Sequence, residues 1–326
     1  MISLFFKFFI MMNLSMITSM TLFFNDLMII WFFMEIMNFL FMYVLINSMK
    51  NKKMIFFYFL IQIIPSFSII FTLILNNIII FNNFLYIFLL MGLLMKLSIP
   101  PFHLWLPIMS KHMSWYSLFI LLTIMKIPPF YMMSLIYINN LLIYFITILS
   151  SIIPPFMLLN LYNIKMILSY SSINQSGWMV ILISLKNIIW LKYFLFYSLT
   201  LMNIFIIMTY FKLFSNYSFN NMKISLNMLN LIFIFNLAGM PPFSFFYMKW
   251  YSMFTFILYS NYFIMFIMLM ISSLFMLFIY TNMLIYTMFL FKFKSKMLNY
   301  NNPPLSMKTY LILFMNSLLS LILFII

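Results

Sequence analysis

The sequence predicts an all-α, polytopic membrane protein of about eleven transmembrane helices, and three observations carry that prediction. Hydrophobic residues make up 67% of the 326 positions and charged residues only 6%, too little polar surface to cover a water-soluble globule. Mean hydropathy is +1.15. Apolar stretches long enough to span a bilayer core, about 20 residues of helix, recur along the whole chain. These stretches are apolar all round, without the period-two alternation of a barrel strand, which argues against a membrane β-barrel.

Apolar runs read against polar punctuation place helices at 3–24, 27–47, 54–75, 84–106, 113–133, 139–160, 164–185, 188–212, 226–258, 262–290 and 307–326. Asn25 and Asp26 part the first two, and Lys50, Lys52 and Lys53 close the second. Asn76, Asn77, Asn82 and Asn83 bound the third and fourth; Lys111 and His112 part the fourth from the fifth. Asn139, then Asn160 to Lys165, then Lys186 and Asn187 separate the next three. The segment 226–258 is too long for one straight span and contains Gly239 and Pro241-Pro242, so a broken or strongly tilted helix is expected there. The polar stretches 213–225 and 292–306 are short linkers. Residues 1–326 therefore read as a single transmembrane domain with no soluble domain.

The formal charge of +15 comes from 17 basic residues, all lysine, dispersed between apolar spans. No basic domain forms, so they mark topology and not a nucleic-acid partner. The lysine-bearing loops fall on one side, with only Lys186 and Lys192 opposite. That places the N-terminus on the side of synthesis and the C-terminus across the membrane. With no cysteine, the chain cannot hold an iron–sulfur cluster through thiolates, build a thiolate zinc site or form a disulfide. Its 45 Phe and 37 Met, against 3 Gly and no Arg, match the product of an extremely A/T-rich gene read with the animal mitochondrial code. No Arg-rich transit peptide precedes the first span. The expectation is a protein made inside the mitochondrion, with its N-terminus in the matrix and its C-terminus in the intermembrane space.

Charges inside the spans are the candidate functional residues, because a charged side chain at a helix centre costs about 2.5–3.5 kcal/mol on insertion scales. Glu35 lies mid-helix in WFFMEIMNFLF; the other acid, Asp26, stands at the start of that span. Lys96 precedes Pro100-Pro101, Lys126 precedes Pro128-Pro129, and Lys249 follows Pro241-Pro242. Helix-breaking prolines free backbone groups that can line a hydrated path. Ten of the twelve prolines form such pairs, and broken helices carrying polar residues mark ion pathways in transporters; bending for packing is the simpler reading of Pro154-Pro155. Loss of water favours a neutral amine and a nearby carboxylate favours the charged one. At an effective dielectric of 20, a carboxylate about 4 Å away contributes ~4 kcal/mol. Movement of Glu35 relative to Lys96 would thus switch that lysine between holding and releasing a proton. The alternatives are a Glu35 that only staples helices through Asn38 and a snorkelling Lys96. His103, just after the proline break, reads equally as a proton relay or a structural hydrogen bond. No phosphate loop, metalloprotease motif or nucleophile motif is present, and nothing binds NADH.

These residues resemble the antiporter-like membrane subunits of respiratory complex I, in the mitochondrially encoded subunit 2 branch of that family. The anchors are Glu35, MKLSIPPFHLWLP at 95–107, TIMKIPP at 123–129, SYSSINQSGW at 169–178 and LAGMPPFSFFYMKW at 237–250. The resemblance implies an antiporter-like fold with two discontinuous helices and a role in moving protons across the mitochondrial inner membrane. It also implies that Glu35 and Lys96 form a coupling pair, Lys126 is the central carrier, Lys249 passes the proton onward, and His103 belongs to the adjoining path. NADH, FMN, iron–sulfur clusters and ubiquinone would all sit in partner subunits, with no cofactor and no metal in this chain. Neighbouring antiporter-like and small membrane subunits, and lipids, would be the partners. The family carries a glutamate shortly after F-H-x-W-x-P, where this chain has Ile108 and Met109. Family glycines are replaced at Ser98 and Ala238, and at Phe245 or Phe246. Two other functions compete: a stand-alone cation/proton antiporter, and a structural spacer whose buried charges only hold helices together.

Overall fold

The computed structural model describes residues 2–78, 82–159, 161, 163–185, 188–210, 233–241, 243–259 and 263–294. Helices α1 (Ile2–Thr21), α2 (Leu27–Ser48), α3 (Lys52–Ile78), α4 (Asn82–Leu97), α5 (Trp105–His112), α6 (Trp115–Leu122), α7 (Ile127–Leu135) and α8 (Asn140–Leu158) come first. Then follow α9 (Ile164–Ser184), α10 (Ile189–Tyr210), α11 (233–238), α12 (Ser244–Tyr259) and α13 (Phe263–Lys294). No β-strand occurs among the described residues. Six of the described helical segments are long and apolar enough to cross a membrane. The expected span 307–326 and the start of 226–258 lie outside the described residues. The chain divides into two compact units, Met1–Ile146 and Thr147–Ile326.

In the first unit, α2 turns a stripe of Ile30, Met34, Met37, Phe41, Val44 and Leu45 inward, the 3.6-residue period of a helix with one packed face. Phe32 and Phe39 point outward and are exposed, as expected where lipid is the solvent. The indole of Trp31 donates to the Ser66 carbonyl of α3 at 3.1 Å.

Two expected spans are interrupted. The expected helix 84–106 ends at Leu97 and resumes only at Trp105, because Pro100 and Pro101 have no N–H to continue the ladder. The Ser98 and Ile99 amides close back onto Met95 O at 3.2 Å and Leu94 O at 3.0 Å. The Trp105 indole reaches across the break to the same Met95 carbonyl at 3.1 Å. The expected helix 113–133 likewise splits into α6, a 3-10 turn at Ile124–Lys126, and α7. Pro128 and Pro129 occupy the first turn of α7, where a missing N–H costs little.

In the second unit, α9 is the central element: every residue from 167 to 183 is buried. Gly177 faces α8 so closely that a Cβ there would sit 3.0 Å from the Ser150 Cβ. Pro154 and Pro155 lie inside α8 without interrupting it. Helix α11 stops at Gly239, which has φ +80°. The Gly239 amide bonds Asn236 O at 3.0 Å and the Met240 amide bonds Phe235 O at 3.3 Å, the paired closure of a Schellman C-cap.

Candidate functional site

Glu35 and Lys96 meet in the first unit. Lys96 Nζ donates to Glu35 Oε1 at 2.6 Å, with the lysine side chain 3% exposed and the glutamate 19%. The pairing follows from local structure. Glu35 falls one turn after Trp31, whose indole ties α2 to α3, and Lys96 occupies the last turn of α4 immediately before the proline break. The Asn38 amide, one turn along α2, donates to the same Oε1 at 3.4 Å. The lysine end of the pair has little water to compete with the bond, so the ammonium depends on the carboxylate for compensation. Ser98 follows Lys96 at φ +56°, a left-handed backbone that favours glycine.

A small cavity of about 20 Å³ opens beside the pair, and both Lys96 and Lys126 line it, together with Asn38, Tyr58 and Gln62. Lys126 is 4% exposed and sits at the end of the 3-10 turn, just before Pro128. A second cavity of about 20 Å³ has Glu35 in its wall and shares Asn38, Tyr58 and Gln62 with the first. The polar trio thus stands where the glutamate's cavity and the two lysines' cavity adjoin. His103 lies in the non-helical stretch before α5, with Nδ1 3.3 Å from Pro101 O. Its Nε2 is buried without a hydrogen-bond partner, and it is not among the residues lining either cavity.

Lys249 lies in the second unit and is 5% exposed. Its ammonium donates to Ala238 O at 2.9 Å, a carbonyl that the C-cap of α11 leaves outside the helical ladder. The Nζ stands 5.6 Å from the centroid of the Phe245 ring, within cation–π range. Asn236 fastens the far side of the break, its Oδ1 accepting from Ser244 Oγ at 3.3 Å and Phe245 N at 3.2 Å. Behind it the buried polar face of α9 carries Gln175, which accepts from Tyr193 Oη, and Asn174, which accepts from Ser272 Oγ at 3.1 Å.

Sequence reasoning singled out the charges and, Asn38 apart, passed over the neutral polar groups around them. Tyr58 and Gln62 sit one turn apart inside an apolar run, a visible signal of a shared polar face. Asn236 and the Ala238 carbonyl became meaningful only once the chain folded back on itself.

The structure defines a class: a membrane protein, helical throughout its described elements, whose helices break beside buried lysines, one of them paired with a partly buried glutamate. The model of the NADH:quinone oxidoreductase/Mrp antiporter transmembrane family matches residues 24–276, and the chain belongs to that family. NADH-ubiquinone oxidoreductase chain 2 of Anopheles gambiae is 37% identical over 182 residues, 54% of this chain and 52% of the relative. The protein of that name from Locusta migratoria is 32% identical over 165 residues, 50% and 48% of the two chains. The chain spans about half the length of the curated relatives it matches. Among solved structures, a chain of respiratory complex I from Thermus thermophilus superposes with TM-score 0.77 at 15% identity, covering 97% of this chain and 77% of that one. A chain of the Mrp complex from Dietzia sp. DQ12-45-1b gives TM-score 0.71 at 14% identity, covering 83% and 59%. These likenesses establish the shared fold.

Proposed function

We propose that this chain is a membrane-arm subunit of mitochondrial respiratory complex I that moves protons across the inner membrane, driven by electron transfer from NADH to ubiquinone in partner subunits. The observation that carries the reading is the Glu35–Lys96 ion pair at 2.6 Å, whose lysine stands in the wall of a cavity that Lys126 also lines. While paired, the carboxylate stabilises the charged ammonium of Lys96. When Glu35 is drawn away, that ammonium stands in a low-dielectric pocket where the neutral amine is favoured, and its proton passes into the cavity toward Lys126. Lys249, held at the C-terminal end of α11, serves the later part of the path, and His103 the path beside Lys96. The family match and the names of the relatives support this assignment.

The finer architecture belongs to the same reading: about eleven spans in one transmembrane domain, with discontinuous helices at the breaks after Leu97 and Gly239. The N-terminus faces the matrix and the C-terminus the intermembrane space. Neighbouring antiporter-like and small membrane subunits and lipids are its partners, and every redox cofactor sits in other subunits.

A native gel of mildly solubilised mitochondrial membranes, probed for this chain and stained for NADH dehydrogenase activity, tests the assignment. Co-migration with the active band in a very large assembly is expected. A small species without that activity would refute it. The likeness to the Mrp complex favours one second reading, a cation/proton antiporter acting without a redox partner. Sodium or potassium exchange by the isolated chain in liposomes would distinguish it.

A further inference from the structure

Tyr58 carries no charge and no part of the reading above, yet it occupies the junction of both cavities. We propose that the Tyr58 hydroxyl relays protons between the Glu35 cavity and the cavity of Lys96 and Lys126, through one bound water on either side. The inference rests on the proposed function and deepens it.

Tyr58 is 1% exposed, and its hydroxyl has no protein hydrogen-bond partner. Buried hydroxyls are almost always satisfied, by protein or by ordered water. Tyr58 lines both cavities, and a buried hydroxyl without a protein partner calls for water from one or both. Each cavity is wide enough for a water molecule, and a buried water needs two to four polar partners. The first cavity provides Lys96, Lys126, Asn38 and Gln62 beside the tyrosine; the second provides Glu35, Asn38 and Gln62.

The ring is anchored. It packs edge-on against Phe41 at 5.3 Å and tilted against Trp105 at 6.1 Å, and the Trp105 indole is itself bonded to Met95 O. A hydroxyl both donates and accepts, and its hydrogen rotates to suit. The amides of Asn38 and Gln62 can hold water but do not exchange a proton in this way. In the relay, a protonated water on one side gives a proton to the Tyr58 oxygen as the O–H bond already present passes its proton to the water opposite. The oxygen ends with one proton, as it began, and no electrons move.

The test is Tyr58→Phe in the assembled complex, which keeps the ring and its packing and removes only the hydroxyl. NADH oxidation, proton translocation and the solvent deuterium isotope effect would be measured on the same preparation, with Lys126→Met alongside. Expected are a severalfold loss of proton translocation and a changed isotope effect, which a purely structural role of the ring would not produce. Parent-level translocation in Tyr58→Phe, with translocation reduced in Lys126→Met, overturns the relay and leaves the proposed function standing. Parent-level translocation in both variants overturns the proposed function. If Tyr58→Phe fails to assemble, a density map of the parent complex that resolves waters decides: water within hydrogen-bond reach of the Tyr58 hydroxyl in both cavities supports the relay, and its absence from either overturns it.

Discussion

Replacing Gly239 by alanine should move Lys249 while leaving the lysine itself in place in the sequence. Gly239 has φ +80°, and an L-residue in the left-handed region costs roughly 1–2 kcal/mol. An added Cβ would lie 3.0 Å from Lys249 Nζ and 3.2 Å from both Cδ and Cε. The end of a lysine side chain can swing away, so the steric term itself is small. Swinging breaks the 2.9 Å bond from the ammonium to Ala238 O, and a hydrogen bond to a charged group contributes about 1.5–3 kcal/mol. The sum is roughly 2.5–5 kcal/mol. The assays are the thermal midpoint of the purified complex and the number of protons moved per NADH, and both should fall. Gly239→Asn separates the two terms, because asparagine tolerates the left-handed backbone yet still carries a Cβ: it should recover only the backbone share of the midpoint, roughly 1–2 kcal/mol, and none of the proton yield. A Gly239→Ala complex with parent stability and parent yield would refute the reasoning, since the amine would then be indifferent to the space the glycine leaves.

Glu35→Gln leaves Lys96 buried without its counter-charge; breaking such a pair costs about 3–5 kcal/mol, and thermal unfolding should register it along with slower proton translocation. Lys249→Met should lower the protons moved per NADH, and an unchanged ratio would remove that residue from the path. Trp105→Phe deletes the indole bond to Met95 O, a loss of about 1 kcal/mol that should appear as faster hydrogen exchange of the amides at the end of α4. Gly177→Ala forces a Cβ against Ser150, and overpacking of this kind costs typically 1–3 kcal/mol, to be read from the yield of folded complex.

The helices were legible because lipid as solvent imposes a simple rule: a long apolar run bounded by lysine or asparagine is a helix, and α2, α3, α8 and α10 follow it closely. The buried charges were legible for the converse reason, since each stands out against an apolar background. The ends of α4 and α6 were not. A proline pair says that the ladder must stop, but where the chain stops and resumes depends on tertiary bonds such as Trp105 to Met95. The pairing of Glu35 with Lys96, 61 residues apart, was suggested by their opposite charges and implied by the family resemblance. The joining of Lys96 to Lys126 through one cavity was not, because a cavity is a property of the packing of several helices. The neutral polar residues were passed over since one Tyr or Gln in a span is ordinary until its neighbours are known.

Helix α9 has a consequence for how the protein is made. It has 21 residues, long enough to cross a bilayer, yet it is not among the six segments apolar enough to qualify by themselves. Between 167 and 183 it is buried throughout, and Asn174 finds its partner Ser272 only 98 residues further along. During synthesis, α9 must therefore enter the membrane well before the helix that satisfies it exists. Its serines bond carbonyls one turn back in the same helix, and Gln175 has Tyr193 of the adjacent α10, but until α13 emerges Asn174 lacks the Ser272 hydroxyl. Biogenesis of the second unit is thus ordered: α9 and α10 enter as a hairpin, and the unit closes when α13 arrives.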